Sequence, residues 1–191
     1  MTDISIVSMR GPSTRWDLAH RFLELRRDVF IKEMDWQLHA HDGLEFEQYD
    51  VCGLATYVIA HDGDQVLGGA RLLRCDTEIG SGDVRYSYMI RDATRGAIDL
   101  PPSLCWRTPP TDACSWELTR LLSVDRSPST ARLILDASND FIQQQGGKQC
   151  LFLGGPAFMR MARSYGYVPT PLGSIVSNKD GKFLAFSCEV R

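Results

Sequence analysis

A chain of 191 residues with 43% hydrophobic and 24% charged residues has an ordinary globular composition. At that length it buries about 70% of the surface its unfolded form exposes, so a real core needs no staples. Its net charge of −3 argues against a general nucleic-acid binder, which needs clustered lysine and arginine.

No apolar run approaches the ~20 residues that cross a bilayer, and Met1-Thr2-Asp3 opens no basic-then-apolar leader. A cytoplasmic protein without a membrane partner is expected. The six cysteines, Cys52, Cys75, Cys105, Cys114, Cys150 and Cys188, show no Cys-x-x-Cys spacing and read as buried thiols. His39 and His41 lack a third ligand placed by sequence, so no metal is expected.

In chain order, Ile4, Ile6 and Val7 suggest a first strand. A helix starts at Ser13 or Thr14, with Leu18, Phe22, Leu25 and Val29 at helical spacing. Arg21, Glu24, Arg27 and Asp28 fall mostly on other faces and read as solvated. Residues 37–51 show no periodicity and read as a long loop, whose acids Glu45, Glu47 and Asp50 would by composition alone be solvated.

A hairpin follows, 54–60 and 66–73, turning at His61-Asp62-Gly63-Asp64. Gly68-Gly69 in its second strand suggests a bulge or a close backbone approach. Residues 75–113, rich in Gly, Pro and Arg, contain one short helix near 86–92. The apolar run 114–124 then carries Glu117, Thr119 and Arg120. As a buried strand it would place charge inside the protein, which costs several kcal/mol unless partners or a polar ligand compensate.

Ser127-Pro128-Ser129-Thr130 opens a helix to about 145, with Leu133, Leu135, Ala137 and Phe141 on buried faces and Gly146-Gly147 as its stop. A buried strand at 150–153, a helix at 156–165, and two or three antiparallel strands over 168–191 turning at Asn178-Lys179-Asp180-Gly181 complete the chain. Without repeat or linker, residues 1–191 read as a single domain. Periodicity alone reaches α/β or α+β.

Five blocks carry a resemblance: Arg26-Arg27-Asp28-Val29-Phe30, Met34-Asp35-Trp36, Glu45-Phe46-Glu47-Gln48-Tyr49-Asp50, Gly69-Ala70-Arg71-Leu72 and Trp116-Glu117-Leu118-Thr119-Arg120. In order and spacing, across roughly the first two thirds of the chain, they resemble the acyl-homoserine-lactone (autoinducer) synthases. Glu47-Gln48-Tyr49-Asp50 stands where that family usually has Asp-Glu-Phe-Asp, and Leu121 where Phe is usual. The resemblance implies the fold of the GCN5-related N-acetyltransferases, a single-domain three-layer α/β/α sandwich with a mixed, mostly antiparallel sheet. It also implies an acyltransferase that moves an acyl group from acyl carrier protein or acyl-CoA to the amine of S-adenosylmethionine. Lactonisation then releases methylthioadenosine, and no cofactor is needed beyond these substrates.

The same resemblance assigns candidate roles. Glu117 would be the base, acting directly or through one water. Glu47 and Asp50 supply negative charge, and Trp36 a π face, for the sulfonium; such a face attracts an onium group by about 0.5–2 kcal/mol. Phe30 walls the nucleotide site. Arg26 and Arg71 are candidates to clamp the methionine carboxylate, or to hold Asp50 or Glu47 in place. Thr119 joins the substrate-binding set, and Arg120 completes the network from behind.

Phe152, with Trp116, Leu153, Phe158, Met159 and Met161, would line the acyl chain, with Gly154-Gly155 leaving room. Arg160 and Arg163 would dock an acidic carrier protein. Acetyltransferases of this fold cradle pyrophosphate on a Gly-rich turn, but here Arg126-Ser127-Pro128-Ser129-Thr130-Ala131 loses an amide donor at Pro128 and a glycine at Ser129. That favours a pantetheine tunnel over a phosphate cradle. An acetyl-CoA-dependent N-acetyltransferase of the same fold and an inactive ligand sensor are the alternatives. Acyl chain, donor type and oligomeric state are not legible.

Overall fold

The computed structural model describes residues 1–9, 13–51, 53–124 and 128–191. It opens with β1 (Asp3–Ser8) and α1 (Trp16–Arg26), which a π-helical stretch (Arg27–Glu33) extends. The short strands β2 (Ala40–His41) and β3 (Leu44–Glu45), a 3-10 turn (Gln48–Asp50), β4 (Thr56–Asp62) and β5 (Gln65–Arg74) follow. Next come β6 (Ile79–Ser81), β7 (Val84–Tyr86), α2 (Met89–Thr94), a second 3-10 turn (Pro102–Leu104) and β8 (Ser115–Ser123). The chain ends through α3 (Pro128–Gln144), β9 (Gln149–Gly154), α4 (Pro156–Ser164), β10 (Thr170–Pro171), β11 (Val176–Asn178) and β12 (Gly181–Glu189).

Two compact units result, Met1–Leu72 with Arg120–Ser138, and Leu73–Thr119 with Asn139–Arg191. The fold class is α/β with a mixed sheet, as expected.

In the first unit β4 pairs antiparallel with β1 (Val7↔Tyr57) and with β5 (Val58↔Ala70). Leu18, Ala19, Phe22 and Leu23 of α1 are buried, and so is Arg26 one turn on. Leu25 and Val29, expected on that stripe, are only half-buried, while Phe30 is buried. The π-helical turn explains the change: Met34 N–H donates to Val29 O at 3.0 Å, an i→i−5 bond that widens the helix and brings Phe30 inward. Residues 37–51 are more ordered than a loop, because β2 and β3 pair and the Glu47 N–H donates to Asp50 Oδ2 at 3.1 Å in a capping box.

The paired glycines of β5 meet both expectations. The β4/β5 register shifts between Ala60 and His61, so Leu67 is the extra residue beside Gly68. A Cβ on Gly68 would stand 2.4 Å from Leu122 O, and one on Gly69 2.8 Å from the Phe22 ring. Gly68→Ala is therefore expected to destabilise the fold by about 1–3 kcal/mol through overpacking against backbone, read from the urea midpoint. A midpoint equal to that of the unaltered protein would contradict the close approach.

In the second unit the N-terminal half of β8 runs parallel to β9, from Ser115↔Gln149 to Leu118↔Phe152. β12 pairs antiparallel with β9, β10 and β11, and the turn between β11 and β12 falls at Lys179-Asp180 as expected. Phe152 stacks on Phe186 (4.9 Å, 13°), and Phe158 meets both rings edge-on at 5.4 and 5.5 Å. The short helix of this region lies at Met89–Thr94, a little beyond its expected place.

The described buried positions of α3 are Thr130, Ala131, Ile134, Leu135, Ser138 and Ile142, a helical spacing that leaves Leu133 43% exposed rather than inside. Gly146 (φ +78°) ends that helix in the left-handed region open to glycine. Among the described residues, no helix is long and apolar enough to cross a membrane. Cys75, Cys105, Cys114, Cys150 and Cys188 are free thiols, and Cys52 lies outside the described residues.

Candidate active site

Three arginines and three carboxylates interlock in the first unit. Arg26, from the last turn of α1, reaches Asp50 with both terminal nitrogens, Nη1 to Oδ1 at 2.7 Å and Nη2 to Oδ2 at 2.9 Å, and also bonds Glu45. Arg71 on β5 bridges Asp50 Oδ2 (3.0 Å) and Glu47 Oε1 (2.7 Å). Arg120 on β8 reaches Glu45 Oε1 (3.1 Å) and Glu47 Oε1 (3.0 Å). Tyr57 on β4 adds its hydroxyl, donating to Asp50 Oδ1 at 2.9 Å.

Such a cluster survives burial only because each charge meets several opposite partners. Burial opposes ionisation of Asp50, yet Arg26 and Arg71 outweigh it and hold the carboxyl well below the usual carboxylate range. Glu45 is likewise lowered, with Arg120 and Arg26 prevailing over burial. Burial and Asp50 push the Tyr57 hydroxyl well up, so it stays a donor.

Both depressed carboxyls stabilise the fold fully above their unfolded values, and that contribution is lost as pH falls below those values toward the lowered ones. The urea midpoint is expected to hold from about pH 8 to about pH 5 and to fall below about pH 4. A midpoint unchanged down to about pH 2 would contradict the charged network.

The aromatic wall is adjacent. Trp36 stacks on Phe30 at 5.1 Å and 11°, and the Arg120 guanidinium lies over the Phe30 ring at 5.7 Å. Arg120 itself has φ +55°, and Asp35, beside Trp36, also has φ +55°. Left-handed non-glycine residues cost free energy and concentrate where geometry serves function.

The acidic segment is thus not a solvated loop. Glu45 and Asp50 are fully buried, and the Glu47 side chain is 13% exposed, the most open of the six. Sequence reasoning left Glu45 and Tyr57 out of the candidate set. The Arg26 donors go to Asp50 and Glu45, and all three side chains are fully buried.

Glu117 occupies a different setting, in the second unit. Its carboxylate is fully buried, with Oε2 accepting the Met89 N–H at 3.0 Å and Oε1 the Ile90 N–H at 2.7 Å. It therefore caps the first turn of α2 with both oxygens, a role unseen in the sequence. Thr119 is buried beyond it on β8. Phe152 sits in the aromatic trio described above. Arg160 and Arg163 are exposed on α4. Arg126 and Ser127 of the expected phosphate turn lie outside the described residues. The room expected at Gly154 is taken by Phe158, whose ring carbon would be 2.9 Å from a Cβ there.

Burial raises the thiols of Cys75 and Cys150 well above neutrality and Cys105 and Cys188 to about 11, so these four are protonated and poor nucleophiles. Among the described residues, no cluster of three His, Cys, Asp or Glu is placed to hold a metal ion.

Known proteins share this architecture. A CoA-dependent acyl-homoserine lactone synthase, BjaI, solved with SAM and isopentyl-CoA, superposes over all of this chain and 84% of its own (TM-score 0.82, 24% identity). A Lactobacillus plantarum structure described as an N-acetyltransferase gives a TM-score of 0.60 at 14% identity, over all of this chain and 99% of its own. These likenesses establish the fold.

The acyl-homoserine-lactone synthase of Aeromonas salmonicida is 28% identical over 115 residues, 60% of this chain and 48% of that protein. The match thus spans about half the length of that relative. The isovaleryl-homoserine lactone synthase of Bradyrhizobium diazoefficiens is 26% identical over 178 residues, 92% of this chain and 74% of that protein. The autoinducer synthase family model matches residues 14–140, and the chain belongs to that family.

Proposed function

We propose that the protein is an acyl-homoserine-lactone synthase that acylates S-adenosylmethionine and closes the product to a lactone. The α-amino nitrogen attacks the thioester carbonyl and expels the thiol. A methionine carboxylate oxygen then displaces the sulfonium carbon–sulfur bond, releasing methylthioadenosine. The observation that carries the reading is the buried arginine–carboxylate network beneath the Phe30–Trp36 stack, in a member of this family.

Glu47, the most open acid of the network, and Trp36 suit a cationic sulfonium. Arg71 and Arg120, which share Glu47, supply guanidinium donors for the methionine carboxylate, while Arg26 holds Asp50 and Glu45. Glu117 is the base for the ammonium, its rotamer fixed by two backbone amides. Thr119 and Phe152 belong to the acyl side. Coenzyme A is the favoured donor, because the Bradyrhizobium relative is named for an isovaleryl product and the BjaI structure holds isopentyl-CoA. Arg160 and Arg163 keep acyl carrier protein as the competing donor. The single-domain reading of residues 1–191 and a cytoplasmic location accompany this proposal.

Purified protein incubated with S-adenosylmethionine and matched panels of acyl-CoA and acyl-carrier-protein thioesters should release methylthioadenosine and an acyl-homoserine lactone in equal amounts. Free thiol release with acetyl-CoA and simple amines, without methylthioadenosine, would instead establish an N-acetyltransferase.

A further inference from the structure

Helix α2 is only six residues long, yet two fully buried carboxylates hold its N-terminal end, Glu117 from β8 and Asp92 from within the helix. Glu117 takes the Met89 and Ile90 amides, and Asp92 Oδ2 takes the Ser87 N–H at 2.9 Å. The Asp92 N–H closes the turn on Tyr88 O at 3.0 Å, and the Ser87 hydroxyl donates to Thr77 O at 2.9 Å. Behind it, Arg95 approaches Asp92 Oδ1 at 3.5 Å and Glu78 at 3.6 Å, and Arg91 pairs with Glu78 at 2.9 Å.

The proposed chemistry makes no use of Asp92. A buried carboxylate is nevertheless a large desolvation cost for one short helix, whose first turn an ordinary exposed cap would satisfy. What the Asp92 clamp does secure is the turn that leads into the Met89 and Ile90 amides, the groups that orient Glu117. We infer that Asp92 is a positioning residue for acyl transfer: by fixing the Ser87–Ile90 turn it holds the Met89 and Ile90 amides where they set the Glu117 carboxylate. The inference rests on the synthase reading, since it assigns Asp92 to the same base.

A carboxylate freed from its amides would swing away from the attacking amine while the remote binding groups stay in place. Misplacement on the order of an ångström costs about 100-fold in such reactions. Asp92→Ala should therefore lower kcat about 10–100-fold per folded molecule while leaving KM for both substrates within about threefold. Asp92→Asn keeps an oxygen acceptor for the Ser87 N–H and should restore most of the loss.

The experiment measures kcat and KM for the unaltered protein, Asp92→Ala and Asp92→Asn, together with amide hydrogen exchange at Met89 and Ile90. Faster exchange at both amides in Asp92→Ala, with the kcat loss and its rescue by Asn, supports the assignment. Unchanged protection of those amides, or an unchanged kcat per folded molecule, overturns it. Absence of turnover in the unaltered protein overturns the synthase reading instead. The exchange arm, which needs no turnover, still decides whether Asp92 holds the turn.

Discussion

Asp50→Ala is expected to lower the unfolding free energy by about 3–5 kcal/mol, the range for removing one partner of a buried ion pair. Its carboxylate accepts two bonds from Arg26, one from Arg71 and one from Tyr57, all in a fully buried setting. Deletion leaves Arg26 with Glu45 and Arg71 with Glu47, the two remaining acids, and the network carries an unbalanced positive charge in a medium that solvates it poorly. The Glu47–Asp50 capping box goes with it, so the 3-10 turn loosens and Glu47 loses its setting. Urea unfolding followed by circular dichroism checks the magnitude. A loss below about 1 kcal/mol would show that water or a rearranged arginine replaces the carboxylate easily, contrary to the buried network.

Glu117→Gln is expected to lose at least about 100-fold in turnover, within the range for removing a general base. It is not a silent structural change. Met89 and Ile90 both present N–H donors, and a glutamine side chain meets one of them with its own NH2 group. That mismatch costs about 1–3 kcal/mol as a buried unsatisfied donor. Turnover must therefore be read per folded molecule, beside calorimetric binding of S-adenosylmethionine. A variant that folds, binds and turns over at the rate of the unaltered protein would remove Glu117 from the chemistry and leave it as the cap of α2.

The strand that carries both Glu117 and Arg120 was legible because an apolar run with internal charge must be a buried strand that pairs its charges. The β4/β5 hairpin and the β5 glycines were legible for a similar reason, since turn chemistry and missing side chains are written locally. Arg26 was half legible: it stands four residues after Phe22 on the buried stripe of α1, a place where a charge demands partners. Those partners, Glu45 and Asp50, lie 19 and 24 residues away on a segment without periodicity, and nothing local distinguishes them from solvated acids.

The two amides that hold Glu117 were illegible in principle, because every residue but proline carries an N–H and only the fold decides which are aimed. The π-helical turn that brings Phe30 rather than Val29 inward, and the left-handed Arg120, are also products of packing. Neither has a residue signature, whereas Gly146 announced its own left-handed stop.

The most direct test expresses the protein in a bacterium that makes no acyl-homoserine lactones and surveys the spent medium by mass spectrometry for ions releasing the homoserine lactone fragment. The account predicts such ions, abolished by Glu117→Gln. A medium without them, with the purified protein equally silent on S-adenosylmethionine and every acyl thioester offered, would contradict the synthase assignment.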